Sequence, residues 1–146
     1  MKPKRSYFVC KTNRTGSQLL CEALRFTGIA GQPNEHLYIG EKSDYYKAYG
    51  TRTGEELLAK IVELGSTPNG VFGLCVELPK TEALAFIRQV IRQDFPFESL
   101  PDLLRSLFPD PKYIWLTRRN VVRQAVSWWK ASQSGIWHTN ADEEPP

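Results

Sequence analysis

The chain has 146 residues, 41% of them apolar, enough for one domain with its own hydrophobic core. With 19 Lys and Arg against 16 Asp and Glu, the net charge is +3, too small a surplus to argue for a nucleic-acid partner. No apolar run approaches the roughly 18 residues of a membrane span, and Lys11 interrupts the N-terminal apolar stretch well short of the about 7–15 residues of a secretion signal, so a cytoplasmic protein without membrane contact is expected.

In chain order, Tyr7–Cys10 reads as a short buried strand. From Gly16 the pattern turns helical, with Leu19, Leu20, Ala23 and Leu24 on one face and Gly28 as a stop. "GIAGQPNEHLY" (28–38) is loop-like, and residues 42–50, rich in Tyr, fit no element firmly. Thr53 followed by Glu56 forms a capping box and predicts a helix over 54–64. "GSTPNG" (65–70) marks a turn, and "VFGLCVE" (71–77) a second buried strand. Helices are predicted over 81–93 and 99–107, a third strand at "YIWLT" (113–117), and a last helix over 121–135. Strands alternating with helices define an α/β fold, three layers with a mainly parallel central sheet. Residues 1–137 read as a single domain and 138–146 as a flexible tail.

Cys10, Cys21 and Cys75 are an odd number in apolar contexts with no CxxC pair, so buried free thiols are expected. His36 and His138, far apart, do not suggest a metal centre. Trp128 and Trp129 point about 100° apart on a helix. Core packing is the expectation for each; an exposed one would stack on a sugar or pack on a partner subunit.

The turn after the first strand carries the strongest chemical signal. A strand-to-helix turn aims unpaired backbone N–H groups and the positive end of the helix dipole at one point, a ready anion site. Arg14 adds a charge suited to phosphate or sulfate oxygens, Thr15 and Ser17 add hydroxyls, and Gly16 lets the backbone approach closely. Neither the Walker pattern nor GxGxxG is present, which disfavours an ordinary P-loop NTPase or a dinucleotide enzyme. A hydroxyl that merely caps the helix is the competing explanation. "YIWLTRRNVVRQAVSWW" repeats the arrangement: Arg118 and Arg119 end a strand, Asn120 is a natural N-cap, and Ser127 lies about two turns along the helix. If the first and third strands are neighbours, the two turns lie side by side at the sheet's carboxyl edge and could hold one ligand with two anionic groups.

Taken together, "YFVCKTNRTGSQLLCEALRFTGIAGQPNEHL", "STPNGVFGLCVE" and "TRRNVVRQAVSWWKASQSGIW" resemble the Stf0-type sulfotransferases, the bacterial trehalose sulfotransferase group. The resemblance implies P-loop-like strand-turn-helix phosphate sites and the sulfate donor 3′-phosphoadenosine 5′-phosphosulfate (PAPS) as co-substrate, with no metal. It implies that Arg14, Thr15, Gly16, Ser17 and Gln18 hold the 5′-phosphosulfate, and that Arg118 or Arg119, with Ser127, holds the 3′-phosphate. Glu35 matches the family's catalytic base, and His36 beside it is a rival by its ordinary pKa. Arg14 and the loop amides would stabilise charge growing on the leaving phosphate. The acceptor would be a hydroxyl of a carbohydrate or small molecule, trehalose-like in the family.

Gln18 departs from the family's usual hydroxyl residue, Cys75 stands where the family commonly has lysine, and family members are longer at the C-terminus. Such shortening would leave apolar surface that a homodimer would bury. Three readings compete: a sulfotransferase, a weak or inactive homologue that still binds the nucleotide, and a nucleic-acid binder using Arg118, Arg119 and Arg123. The last is weakest, because the arginines gather at a helix start instead of forming a stripe.

Overall fold

The computed structural model describes residues 2–38, 44–77, 105, 107–108 and 110–137. Its centre is a parallel sheet in the order β2-β1-β3, with β1 (Arg5–Lys11) between β2 (Val71–Glu77) and β3 (Lys112–Leu116). Alternation along β1 assigns its side chains to two faces. Phe8 and Cys10 join Leu57, Ile61, Phe72, Leu74, Val76 and Phe108 in one core, and Val9 joins Cys21 and Cys75 in a second.

The larger core is aromatic at its centre. Phe72 and Phe108 stack 4.8 Å apart, and Phe8 meets Phe108 edge-on at 5.3 Å. Such pairs add about 0.5–1.5 kcal/mol each beyond the area they bury. α3 (Gly54–Gly65) closes this face with Leu57 and Ile61. Thr53 accepts from the Glu56 N–H, as the capping box predicts, while the Glu56 carboxylate turns to the Arg52 N–H instead of that of Thr53. α1 (Ser17–Phe26) covers the opposite face through Cys21, Leu20 and Leu24. Helices on both faces of a parallel sheet make this a three-layer α/β fold, as the sequence pattern predicts.

Two local results differ from the sequence reading. Residues Tyr45–Tyr49 form a short helix, α2, capped by the Asp44 carboxylate. The hydroxyls of Tyr45 and Tyr49 donate to the carbonyls of Leu37 and His36. The last described helix, α4 (Val121–Ser134), buries only Ala131, so Trp128 and Trp129 are 48% and 59% exposed instead of packed in the core. Its apolar residues lack a cover among the described elements. The helix predicted over 81–93 and the tail at 138–146 lie outside the described residues, as does most of the helix predicted over 99–107.

The 28–38 loop is drawn onto β2, which fixes where Glu35 sits. The Cys75 N–H donates to the Asn34 carbonyl at 3.0 Å and the Gln32 N–H to the Gly65 carbonyl at 2.8 Å. Gly31 lies so close that a Cβ there would stand 2.8 Å from the Gly73 nitrogen, and its φ of +80° is itself costly for any other residue.

Candidate functional site

β1 and β3 end level with each other: Lys11 pairs with Leu116. The turns that follow therefore leave the sheet side by side, the condition the two basic turns required. In the first, Arg14 has φ +63° and Gly16 φ +88°. A Cβ at Gly16 would meet nothing within 4 Å, so glycine serves its φ and not a lack of space. Arg14, lacking that freedom, holds a left-handed conformation that costs about 1–2 kcal/mol. Such strain concentrates at functional sites. Alternation of this kind turns successive N–H groups toward a common concavity.

Neither hydroxyl caps α1. Thr15 Oγ1 donates to the Thr12 carbonyl at 2.9 Å, and Gly16 occupies the N-cap without a side-chain bond. Ser17 is the first helical residue and is buried. The simple capping explanation therefore does not hold, and the start of α1 keeps its donors. Gln18 turns away, its amide donating to Glu22 one turn on.

The second turn meets the first through side chains. Arg14 Nε donates to Ser127 Oγ at 2.9 Å, and Arg14 Nη1 donates to the Trp137 carbonyl. Arg118 Nη1 donates to the Arg14 carbonyl at 3.2 Å, whereas Arg119 is exposed. Asn120 caps α4 by accepting from the Arg123 N–H. Gln124, one turn further, donates to the Asn13 carbonyl at 2.8 Å and to Thr12 Oγ1 at 3.2 Å. Arg14, Arg118 and Ser127 thus come together, although Arg14 lies more than 100 residues from the other two. Beside them is an open groove of about 540 Å³ lined by Arg14, Ser127, Trp129, Lys130 and Ile136 among others.

Under the first turn lies a charged cluster. Lys11 Nζ is 2.7 Å from Glu35 Oε1 and 3.5 Å from Glu77 Oε2. Burial alone would push the Lys11 ammonium down, but its hydrogen bond to Glu35 and the charges of Glu35 and Glu77 outweigh this and raise it. Cys21 and Cys75 share the smaller core beneath it. Interaction with Cys75 draws the Cys21 thiol down against burial, while interaction with Cys21, together with burial, pushes Cys75 up. All three cysteines are free and buried, as expected.

His36 is directed elsewhere: its Nε2–H donates to the Gln32 carbonyl at 3.3 Å. Burial pushes its imidazole down, the Gln32 bond opposes this, and the charge of Arg25 adds to it. A depressed folded value means that the unfolded chain takes the proton first as pH falls. The stability that neutral His36 contributes is complete above the unfolded value of about 6.5 and is lost as pH falls through the folded one. Thermal unfolding followed from about pH 7.5 to 5.5 is expected to show a falling Tm, with a shallower fall in His36→Gln.

Sequence reasoning missed Lys11, Glu77 and Gln124. Lysine on an otherwise apolar strand was the available signal for Lys11, since a lysine is rarely buried unless paired. No group of three potential metal ligands occurs among the described residues, and no described helix is long and apolar enough to cross a membrane.

Two neighbouring strands of the parallel α/β sheet thus end in basic turns joined by side-chain bonds at its carboxyl edge, the edge at which open α/β sheets bind their ligands. Residues 6–145 match the family described as Stf0 sulphotransferase, and the chain belongs to that family. It is 30% identical to the trehalose 2-sulfotransferase of Mycolicibacterium smegmatis, across 94% of this chain and 60% of the relative. The enzyme of the same name from Mycobacterium tuberculosis is also 30% identical, across 94% of this chain and 61% of the relative. The chain therefore spans less than two thirds of the length of these relatives.

Proposed function

We propose that the chain is a PAPS-dependent sulfotransferase that moves a sulfuryl group to a hydroxyl of a carbohydrate or small molecule, acting in the cytoplasm. The observation that carries this reading is the junction of the two basic turns, where Arg14 donates to Ser127 and Arg118 donates to Arg14. The residues present suit a nucleotide with two anionic groups: an uncapped helix start, two arginines and an adjoining groove with an aromatic wall.

In this reading, Arg14 and the backbone of residues 15–18 hold the 5′-phosphosulfate. Arg118, with Ser127, holds the 3′-phosphate, and Arg119 flanks it. The donor, when bound, supplies an activated sulfuryl group on a phosphate leaving group. Arg14 and the α1 amides stabilise the negative charge that grows on the leaving oxygen. Glu35 takes the proton of the attacking hydroxyl. Trehalose is the first acceptor to try, because the two relatives are trehalose 2-sulfotransferases.

A second reading is a homologue that binds the nucleotide with little or no turnover. It is favoured by the exposure of Trp129, which lines the groove, and of Trp128 beside it on α4. Association of two chains through this face belongs to either reading.

Calorimetric titration of 3′-phosphoadenosine 5′-phosphate, with ADP as control, tests the site shared by both. Binding at about micromolar Kd with preference for the 3′-phosphate is expected, weakened more by Arg118→Ala than by Arg119→Ala. Absence of binding to both nucleotides overturns the two-anion site.

A further inference from the structure

We propose that Lys11 is the positioning residue for the Glu35 carboxylate, and that Glu77 anchors Lys11 for that task. The inference rests on the reading of Glu35 as the base. Three different elements meet here: Lys11 ends β1, Glu77 ends β2, and Glu35 sits on the 28–38 loop. The Lys11 side chain is only 5% exposed, while that of Glu35 is 30% exposed. A buried ammonium therefore reaches out to a carboxylate that still opens toward solvent.

The asymmetry of the two contacts is informative. Lys11 and Glu77 are register partners across β1 and β2, so their geometry is set by the rigid centre of the sheet. Glu35 belongs to no helix or strand. Its neighbours are held through their carbonyls, that of Asn34 accepting from the Cys75 N–H and that of Pro33 from the Arg25 guanidinium, and these bonds fix the chain path without aiming the carboxylate. Its 2.7 Å contact with Lys11 provides the aim. A general base must be held within about 0.5 Å of its productive position, which a loop backbone alone does poorly.

Lys11 also immediately precedes the Thr12–Gly16 turn. The strand that launches the anion-binding turn thus carries the group that locates the base. Donor and proton acceptor are referenced to one rigid element, and Lys11 itself need not touch either reactant.

The test measures turnover of PAPS with a panel of carbohydrate hydroxyls, trehalose included, for the unsubstituted chain, Lys11→Met, Lys11→Arg, Glu35→Gln and the Lys11→Met/Glu35→Gln double variant. Calorimetry with 3′-phosphoadenosine 5′-phosphate runs alongside. Lys11→Met is expected to lower kcat about 100-fold while nucleotide affinity stays within about threefold. Lys11→Arg is expected to recover part of the rate. The double variant is expected to be no slower than Glu35→Gln, because both changes act through one carboxylate. Losses that simply multiply overturn the proposal. So does a folded Lys11→Met with unchanged kcat beside an inactive Glu35→Gln, which leaves the base reading standing. Full turnover in Glu35→Gln overturns the base reading and Lys11 with it, as does a lack of turnover in the unsubstituted chain. Should Lys11→Met fail to fold, Glu77→Gln decides: a drop in kcat of about tenfold at constant affinity supports the anchor, and an unchanged kcat overturns it.

Discussion

Replacing Glu35 with Gln is expected to lower turnover by about 10²–10⁴-fold and to leave affinity for 3′-phosphoadenosine 5′-phosphate nearly unchanged. The substitution keeps the size and planarity of the side chain and removes its capacity to accept a proton. It also removes a charge from the Lys11 cluster, but Glu77 remains 3.5 Å from the ammonium, so the cation is not stranded. Breaking a buried ion pair by deleting one member can cost about 3–5 kcal/mol when the survivor has no other partner. With Glu77 in place and Glu35 partly exposed, the loss of stability is expected to fall below that range. The measurement is steady-state turnover beside calorimetric nucleotide affinity on protein shown to be folded. Unchanged kcat removes Glu35 from the proton-transfer step. A parallel loss of affinity would instead mark Glu35 as part of the donor site.

The features that were legible in the sequence are those written locally. A strand followed by Arg, Gly and Ser and then a helix is readable within residues 7–20, and Thr53 and Asn120 announce the helices they cap. Even the meeting of the two turns followed from one topological condition, that β1 and β3 be neighbours. The Lys11 cluster was not legible, because Lys11 and Glu77 are 66 residues apart and meet only through strand register. Register depends on which strands pair, and no local pattern states it. Residues 45–49 hid a helix because three tyrosines in five residues resemble a strand, and the Asp44 cap outweighs that preference. The tryptophans of α4 show the converse problem. Apolar spacing tells which face of a helix seeks cover, and only tertiary structure tells whether cover arrives.

Arg14→Ala is expected to lower kcat/KM by about 10³-fold, the upper end of what one lost stabiliser of transition-state charge produces. Arg14 sits where three segments converge: its guanidinium reaches Ser127 on α4 and the Trp137 carbonyl, and its own carbonyl receives Arg118. Alanine removes the first two contacts and keeps the third, so Arg118 stays at the turn while the cation is lost. Two further variants separate charge from geometry. Arg14→Lys restores a cation without the planar fork that can serve Ser127 and a carbonyl together, and is expected to fall between alanine and the parent. Arg14→Gly is expected to be as inactive as alanine yet more stable than it by about 1 kcal/mol, because φ +63° suits glycine and strains alanine. Thermal unfolding of the glycine and alanine variants reads the backbone term, and kinetics with PAPS reads the side-chain term. Equal Tm values in the two would mean that the turn relaxes once the guanidinium is gone. The left-handed conformation of Arg14 would then be imposed by its contacts with α4 and Trp137, and those contacts, rather than the chain's local preference, would shape the anion-binding turn.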